Sequence, residues 1–201
     1  MVMFRLILLV TLVLFLLNCG GSSRKITRIQ ADQNTDISGR WNDTDSRQTA
    51  NTLINDLLAK PWISSFMNEN SRKPFVIVGD IRNKSSEHIP VATFIKDIEK
   101  ELVNSGQVSF VASVKEREGV RDERMDQQSY SSVETAKELA NEQAADYMLQ
   151  GIINSIVDSY EGKKVVYYQV NLELVDLESN TKVWLGDKKI KKSIQQNKYD
   201  W

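Results

Sequence analysis

Three runs in the last part of the chain leave little freedom in how it folds. Val165–Leu177 alternates, with Val166, Tyr168, Val170, Leu172 and Leu174 on one side of an extended strand. A period of two marks a strand with one buried face; a helix would scatter those five side chains around its axis. Tyr147–Val157 precedes this run across the turn-forming pair Glu161-Gly162, and Lys182–Lys191 follows it across Ser179-Asn180. Strands joined by such short connections pair antiparallel. The sequence therefore predicts a C-terminal three-strand meander.

Upstream, the period changes to that of helices. Asp43, Asp45 and Ser46 are candidate N-caps of a helix running to about Lys60, with Ala50, Leu53, Ile54, Leu57 and Leu58 on one face. Pro61 suits the first turn of a short helix over Trp62–Met67. Phe75–Ile81 reads as a buried strand. Val91–Ser105 reads as a helix that turns Phe94, Ile95, Ile98, Leu102 and Val103 inward and stops at Gly106. A short strand is expected over Val108–Ala112. Ser113–Gln128 reads as a helix start leading into an exposed loop, and Ser132–Gln143 as a further helix. The expected fold is α+β: one domain over 38–201 with a central mixed or antiparallel β-sheet flanked by helices.

The opposite end of the chain belongs to another physical regime. Leu6–Leu17 is an apolar run of 12 residues behind a single charge, Arg5. That length suits the core of a signal peptide and falls short of the roughly 20 residues that span a bilayer as a helix. The run ends in Leu16-Leu17-Asn18-Cys19, which resembles a lipobox, with Leu16 and Cys19 at the matching positions. On this reading 1–18 is a lipoprotein signal peptide and Cys19 carries acyl chains, palmitate among them. The other reading is an uncleaved anchor with Cys19 as an ordinary residue. Acyl chains contribute roughly 0.8 kcal/mol per buried CH₂, so two or three would hold the protein stably on a membrane. Residues 19–37 are then the lipidated cysteine and a polar linker. Gly20, in place of an aspartate after the cysteine, favours the outer membrane.

Composition narrows the chemistry. The chain has 26 basic and 27 acidic residues, a balance that argues against nucleic acid as a partner held by a broad basic field. One cysteine and one histidine, His88, rule out an intramolecular disulfide and any Cys/His zinc cluster. His88 has no thiol or second imidazole to work with and reads as a surface-loop residue. Ser64-Ser65 and Ser131-Ser132 sit in neither a G-x-S-x-G elbow nor an S-x-x-K motif. Asp97/Glu101 and Glu134/Glu138 are the i,i+4 carboxylate pairs of a solvated helix face. No glycine-rich phosphate loop is present. The expectation is no enzyme, no cofactor, no metal and no small-molecule substrate.

Two clusters are left as candidate partner-binding residues. Arg and Trp dominate interface hot spots, so Arg40 and Trp41 fit a docking face; Trp41 and Trp62 fit equally a seal between the first helix and the sheet. Lys188, Lys189, Lys191 and Lys192 surround Ile190 near the end of the last strand. Lysines there either guard a sheet edge against pairing or meet an acidic partner.

Several stretches are familiar beyond their periodicity: Ile37–Asp43, Val78–Asn83, Val111–Arg117 followed by Glu134–Lys137, Ala145–Gly151, Tyr167–Asp176 and Lys182–Trp184. In this order and spacing they resemble the LpoB-type lipoproteins, outer-membrane activators of class A penicillin-binding proteins, over about residues 37–192. The resemblance implies a domain related to the N-terminal domain of TolB-like proteins. It implies no catalysis but docking on an accessory domain of a bifunctional peptidoglycan synthase, whose glycosyltransferase and transpeptidase activities rise. Family members known for a long, Pro-rich linker differ from this chain, whose linker is short and lacks proline. Lipoproteins of curli-type export channels share the core topology, so the rival expectation is a structural subunit of an envelope or secretion assembly. Such a subunit would need spare amphipathic segments, and every alternating run here is used by the domain sheet.

Overall fold

The computed structural model describes residues 25–129 and 144–195. The chain divides between Gln33 and Asn34, and the unit that begins at Asn34 holds all of the regular secondary structure described. Its elements are α1 (Asp43–Leu58), α2 (Trp62–Asn70), β1 (Phe75–Lys84), α3 (Val91–Ser105), β2 (Ser109–Phe110), α4 (Val114–Ser129), β3 (Tyr147–Tyr160), β4 (Lys163–Asp176) and β5 (Lys182–Gln195). The five strands form one mixed sheet in the order β2-β1-β3-β4-β5. β1 runs parallel to β2 and β3, and β3, β4 and β5 form the antiparallel meander. The fold is α+β, as the alternation of periods predicts.

The alternating run does what its pattern requires. Val166, Tyr168, Val170, Leu172 and Leu174 are all buried, together with Leu149 and Ile153 of β3 and Trp184 of β5. Against this face pack Leu53, Ile54 and Leu57 of α1 and Phe94, Ile98 and Leu102 of α3. The β3–β4 turn has positive φ at both central residues, 45° at Glu161 and 77° at Gly162. That is the requirement of a type I′ hairpin, and glycine meets it without a Cβ penalty. Opposite Gln150, β1 carries a bulge between Val78 and Ile81 that returns Ile81 to the buried face.

Several expectations are corrected. Asn42, not Asp43, Asp45 or Ser46, caps α1: its side chain accepts from the Asp45 N–H at 3.1 Å, and the Asp45 carboxylate accepts from the Asn42 N–H at 3.0 Å. An unbroken run of capping-competent residues, Asn42 to Ser46, made the choice illegible until the reciprocal bond was seen. Val103 is 53 % exposed, because the buried stripe of α3 is the narrow i,i+4 row of Phe94, Ile98 and Leu102. The stretch expected as a helix start and loop is one continuous helix, α4. A Ser113/Glu116 capping box starts it, and its run of Glu, Arg, Asp, Met and Gln consists largely of residues tolerated or favoured in helices. β2 is shorter than expected and the meander strands longer. The helix expected over Ser132–Gln143 and the lipobox with Cys19 lie outside the described residues.

Candidate docking surface

The segment before α1 is bonded to the sheet by two polar knots. In the first, the Glu87 carboxylate in the β1–α3 loop accepts from the Trp41 N–H at 3.1 Å and from the Tyr168 hydroxyl at 2.7 Å. The Trp41 ring packs edge-on to Phe94 and Tyr168, at 6.1 and 5.6 Å between centroids. Burial, then the bond to a carboxylate, pushes the Tyr168 phenol above its ordinary pKa, so its proton stays in place to hold Glu87. In the second, the Lys192 ammonium reaches Asp45 at 2.5 Å, Asp36 at 3.1 Å and the Arg40 carbonyl at 3.0 Å. The Lys192 side chain is 8 % exposed and that of Asp45 9 %. Asp45 thus serves the helix cap and the ion pair with one oxygen, Oδ2.

These knots separate the candidate residues by role. Trp41 is half-buried between Phe94 of α3 and Tyr168 of β4, and Trp62 joins α1 to β3, donating its indole N–H to the Leu57 carbonyl at 2.9 Å and packing edge-on to Tyr147. Lys192, grouped by sequence with a partner-facing cluster, is bonded inside the domain. The four lysines split because successive side chains of a strand face opposite ways. Lys188 and Lys192 share parity with buried Trp184, on the helix-covered face, and Lys189 and Lys191 lie on the other. Only Lys189 and Lys191 are exposed. β5 is the edge of the sheet, so lysines there block further pairing on that side.

Arg40 is exposed and lies on a groove of about 830 Å³ between the segment 37–40 and the β3–β4 hairpin, shared with Tyr160, Lys163, Lys164 and Ile194. Sequence reading missed Tyr160, Lys163 and Lys164, since nothing local says that the hairpin tip meets a segment more than a hundred residues upstream. A second groove, of about 520 Å³, crosses the sheet face opposite the helices. It is polar: Gln150 donates to Glu173 at 2.7 Å, and Glu173 is paired with Lys182 at 2.7 Å. The Lys182 bond first, against a smaller effect of burial, holds the Glu173 carboxyl below its ordinary pKa.

His88 is exposed, Ser64 donates to the Pro61 carbonyl, and Asp97 accepts from Ser46 at 2.8 Å. Among the described residues no three His, Cys, Asp or Glu converge on one point, and no helix is long and apolar enough to cross a membrane. What the surface offers is a charged groove with one large exposed aromatic ring, flanked by a guarded edge.

Among solved structures the chain is similar to the LpoB C-terminal domain from Escherichia coli (12% identity, 70% of this chain and 97% of that one, TM-score 0.41). It is likewise similar to the LpoB C-terminal domain from Salmonella enterica (16% identity, 73% and 98%, TM-score 0.36). A third is the lipoprotein GNA1162 from Neisseria meningitidis (13% identity, 60% and 83%, TM-score 0.37). No curated protein matches the sequence. These structural likenesses are distant. The match that decides the matter is to a family described as the peptidoglycan-synthase activator LpoB, and it runs over residues 45–190, from the first turn of α1 to Ile190 in β5. This chain belongs to the LpoB family of peptidoglycan-synthase activators.

Proposed function

We propose that this protein is a lipid-anchored, non-catalytic activator that binds a bifunctional, class A penicillin-binding protein and raises its rate of peptidoglycan synthesis. The observation that carries the reading is the family match across residues 45–190, which takes in all five strands up to the middle of β5. The surface chemistry agrees with it: a charged groove suits docking. Arg40, with Lys189 and Lys191 on the far edge, faces the partner, while Trp41 and Lys192 are bonded within the domain. Cys19 carries the lipid, and the periplasmic face of the outer membrane is where it anchors. A specific interface buries about 1,200–2,000 Å² in total, so the contact extends beyond the groove itself.

The test is capture from solubilised envelope on the immobilised full chain, followed by a glycan-polymerisation assay on the purified partner. Recovery of a class A penicillin-binding protein, polymerising faster when the chain is added, is the expected result. Recovery of secretion or channel components with no synthase, or a synthase whose rate is unchanged, overturns the reading. Arg40→Glu should weaken capture about tenfold without shifting the thermal melt.

A further inference from the structure

The sheet contains a step. β3 pairs with β4 along its whole length, to Tyr160↔Lys163, but its other neighbour, β1, stops at Lys84↔Asn154. Ser86 closes the floor of the step through its N–H, 2.9 Å from the Ser155 hydroxyl. From Ile156 to Tyr160, therefore, every second N–H and C=O of β3 points away from β4 with no strand beside it among the described residues. Five residues of open edge are about 17 Å long, the length of an ordinary strand.

The side chains along this edge are not those of a protected one. Ile156, Val157 and Tyr160 are 67, 41 and 76 % exposed, and the single charge is Asp158. The other long edge of the same sheet, β5, carries lysines at 188, 189, 191 and 192. Folded proteins blunt free edges with lysine, proline, bulges or covering loops. This one does so on β5 and leaves apolar side chains on both faces of the step. The step also adjoins the Arg40 groove, since Tyr160 belongs to both. The β4 and β5 strands hold the hairpin from behind as far as Lys163↔Gln195, so the edge is presented on a fixed support.

We infer that the β3 edge from Ile156 to Tyr160 is a strand-addition site, filled by an extended segment of the partner that the chain activates. The inference rests on the activator reading above and specifies how the contact is made. Main-chain bonds along the step supply affinity, and alternate side chains supply specificity. The segment it fits is extended, with β-branched or aromatic residues beside Ile156 and Val157 and a basic residue beside Asp158.

The experiment is amide hydrogen exchange on the full chain in detergent micelles, alone and with a purified class A penicillin-binding protein, beside binding titrations. In the bound chain the amides of 156–160 that point away from β4 should exchange at least tenfold more slowly than in the free chain. Val157→Lys, on an exposed side chain, should weaken binding at least tenfold while the circular-dichroism melt is unchanged. Binding with unaltered exchange at 156–160 overturns this inference and leaves the activator reading standing. Absence of binding overturns both. Slow exchange in the free chain of those amides of 156–160 that point away from β4 overturns the inference as well: concentration dependence and a dimer mass would assign the edge to a second copy, and their absence to the chain itself.

Discussion

At Lys192 an ammonium meets two carboxylates and a carbonyl at the junction of β5 with the segment before α1. Burying a charge is costly, and it persists here because oxygens of three residues surround the ammonium. Removing one partner of such a pair leaves the other charge buried without compensation. Lys192→Ala should therefore lower stability by about 3 kcal/mol in urea denaturation; a loss below about 1 kcal/mol would mean that the Asn42 N–H alone satisfies Asp45. The sequence told that Lys192 was one of a cluster of lysines. It did not tell that Asp36 and Asp45, about 150 residues upstream, would meet it, because no local rule links residues so far apart. Glu87 is a similar case: attention falls on its neighbour His88, which is exposed, while Glu87 joins Trp41 to Tyr168.

The elements themselves were mostly legible, since a strand or helix with one buried face writes its period into the sequence. Val166 to Leu174 and the row Phe94, Ile98, Leu102 are such signatures. Element ends were less so, because capping depends on which of several competent residues finds a partner, as at Asn42. The seating of Trp184 depends on a glycine in a way that periodicity does not show. A Cβ at Gly186 would come within 2.1 Å of the ring of Trp184, whose indole N–H donates to Asp56 of α1 at 2.9 Å. Gly186→Ala should thus displace Trp184, cost about 1–3 kcal/mol as overpacking does, and shift tryptophan emission to the red. An unchanged spectrum and melt would show that β5 can move to admit the methyl group.

At the scale of the whole molecule, Asp146 joins the start of β3 to the α2–β1 connection. Its carboxylate accepts two bonds from the Arg72 guanidinium, both 2.7 Å, and one from the Phe75 N–H at 2.7 Å. Arg72 also lies over the Phe66 and Phe75 rings, 4.9 and 5.1 Å from their centroids. Burial raises the Asp146 pKa, but the Arg72 and Phe75 bonds together outweigh it and hold the carboxyl below its ordinary range. A group depressed in the folded state adds stability above its unfolded pKa and loses it as pH falls through the folded value. Asp146→Asn should therefore be less stable than the parent at neutral pH and lose less on acidification below about pH 4, as read from melts across that range. Equal acid slopes would show that other carboxylates govern acid unfolding. Tether length belongs to the same scale: with Cys19 lipidated, the stretch Gly20–Gln33 reaches at most about 50 Å. The proposed partner has to extend to within that distance, plus the domain's own breadth, of the anchoring membrane.

By itself the sequence determined the fold class, the meander and most of the inward faces of α1, α3 and β4, because burial of apolar side chains imposes a period that neighbouring residues record. It also excluded a disulfide and a Cys/His metal cluster, by counting alone. Tertiary structure decided the rest: that Lys192 and Trp41 serve the interior, that Arg40 shares a groove with Tyr160, and that β1 ends short of β3. Each of these depends on which distant segments lie side by side. Hydrogen bonds and ion pairs between such segments leave no periodic trace, since a single residue at each end is enough to make them.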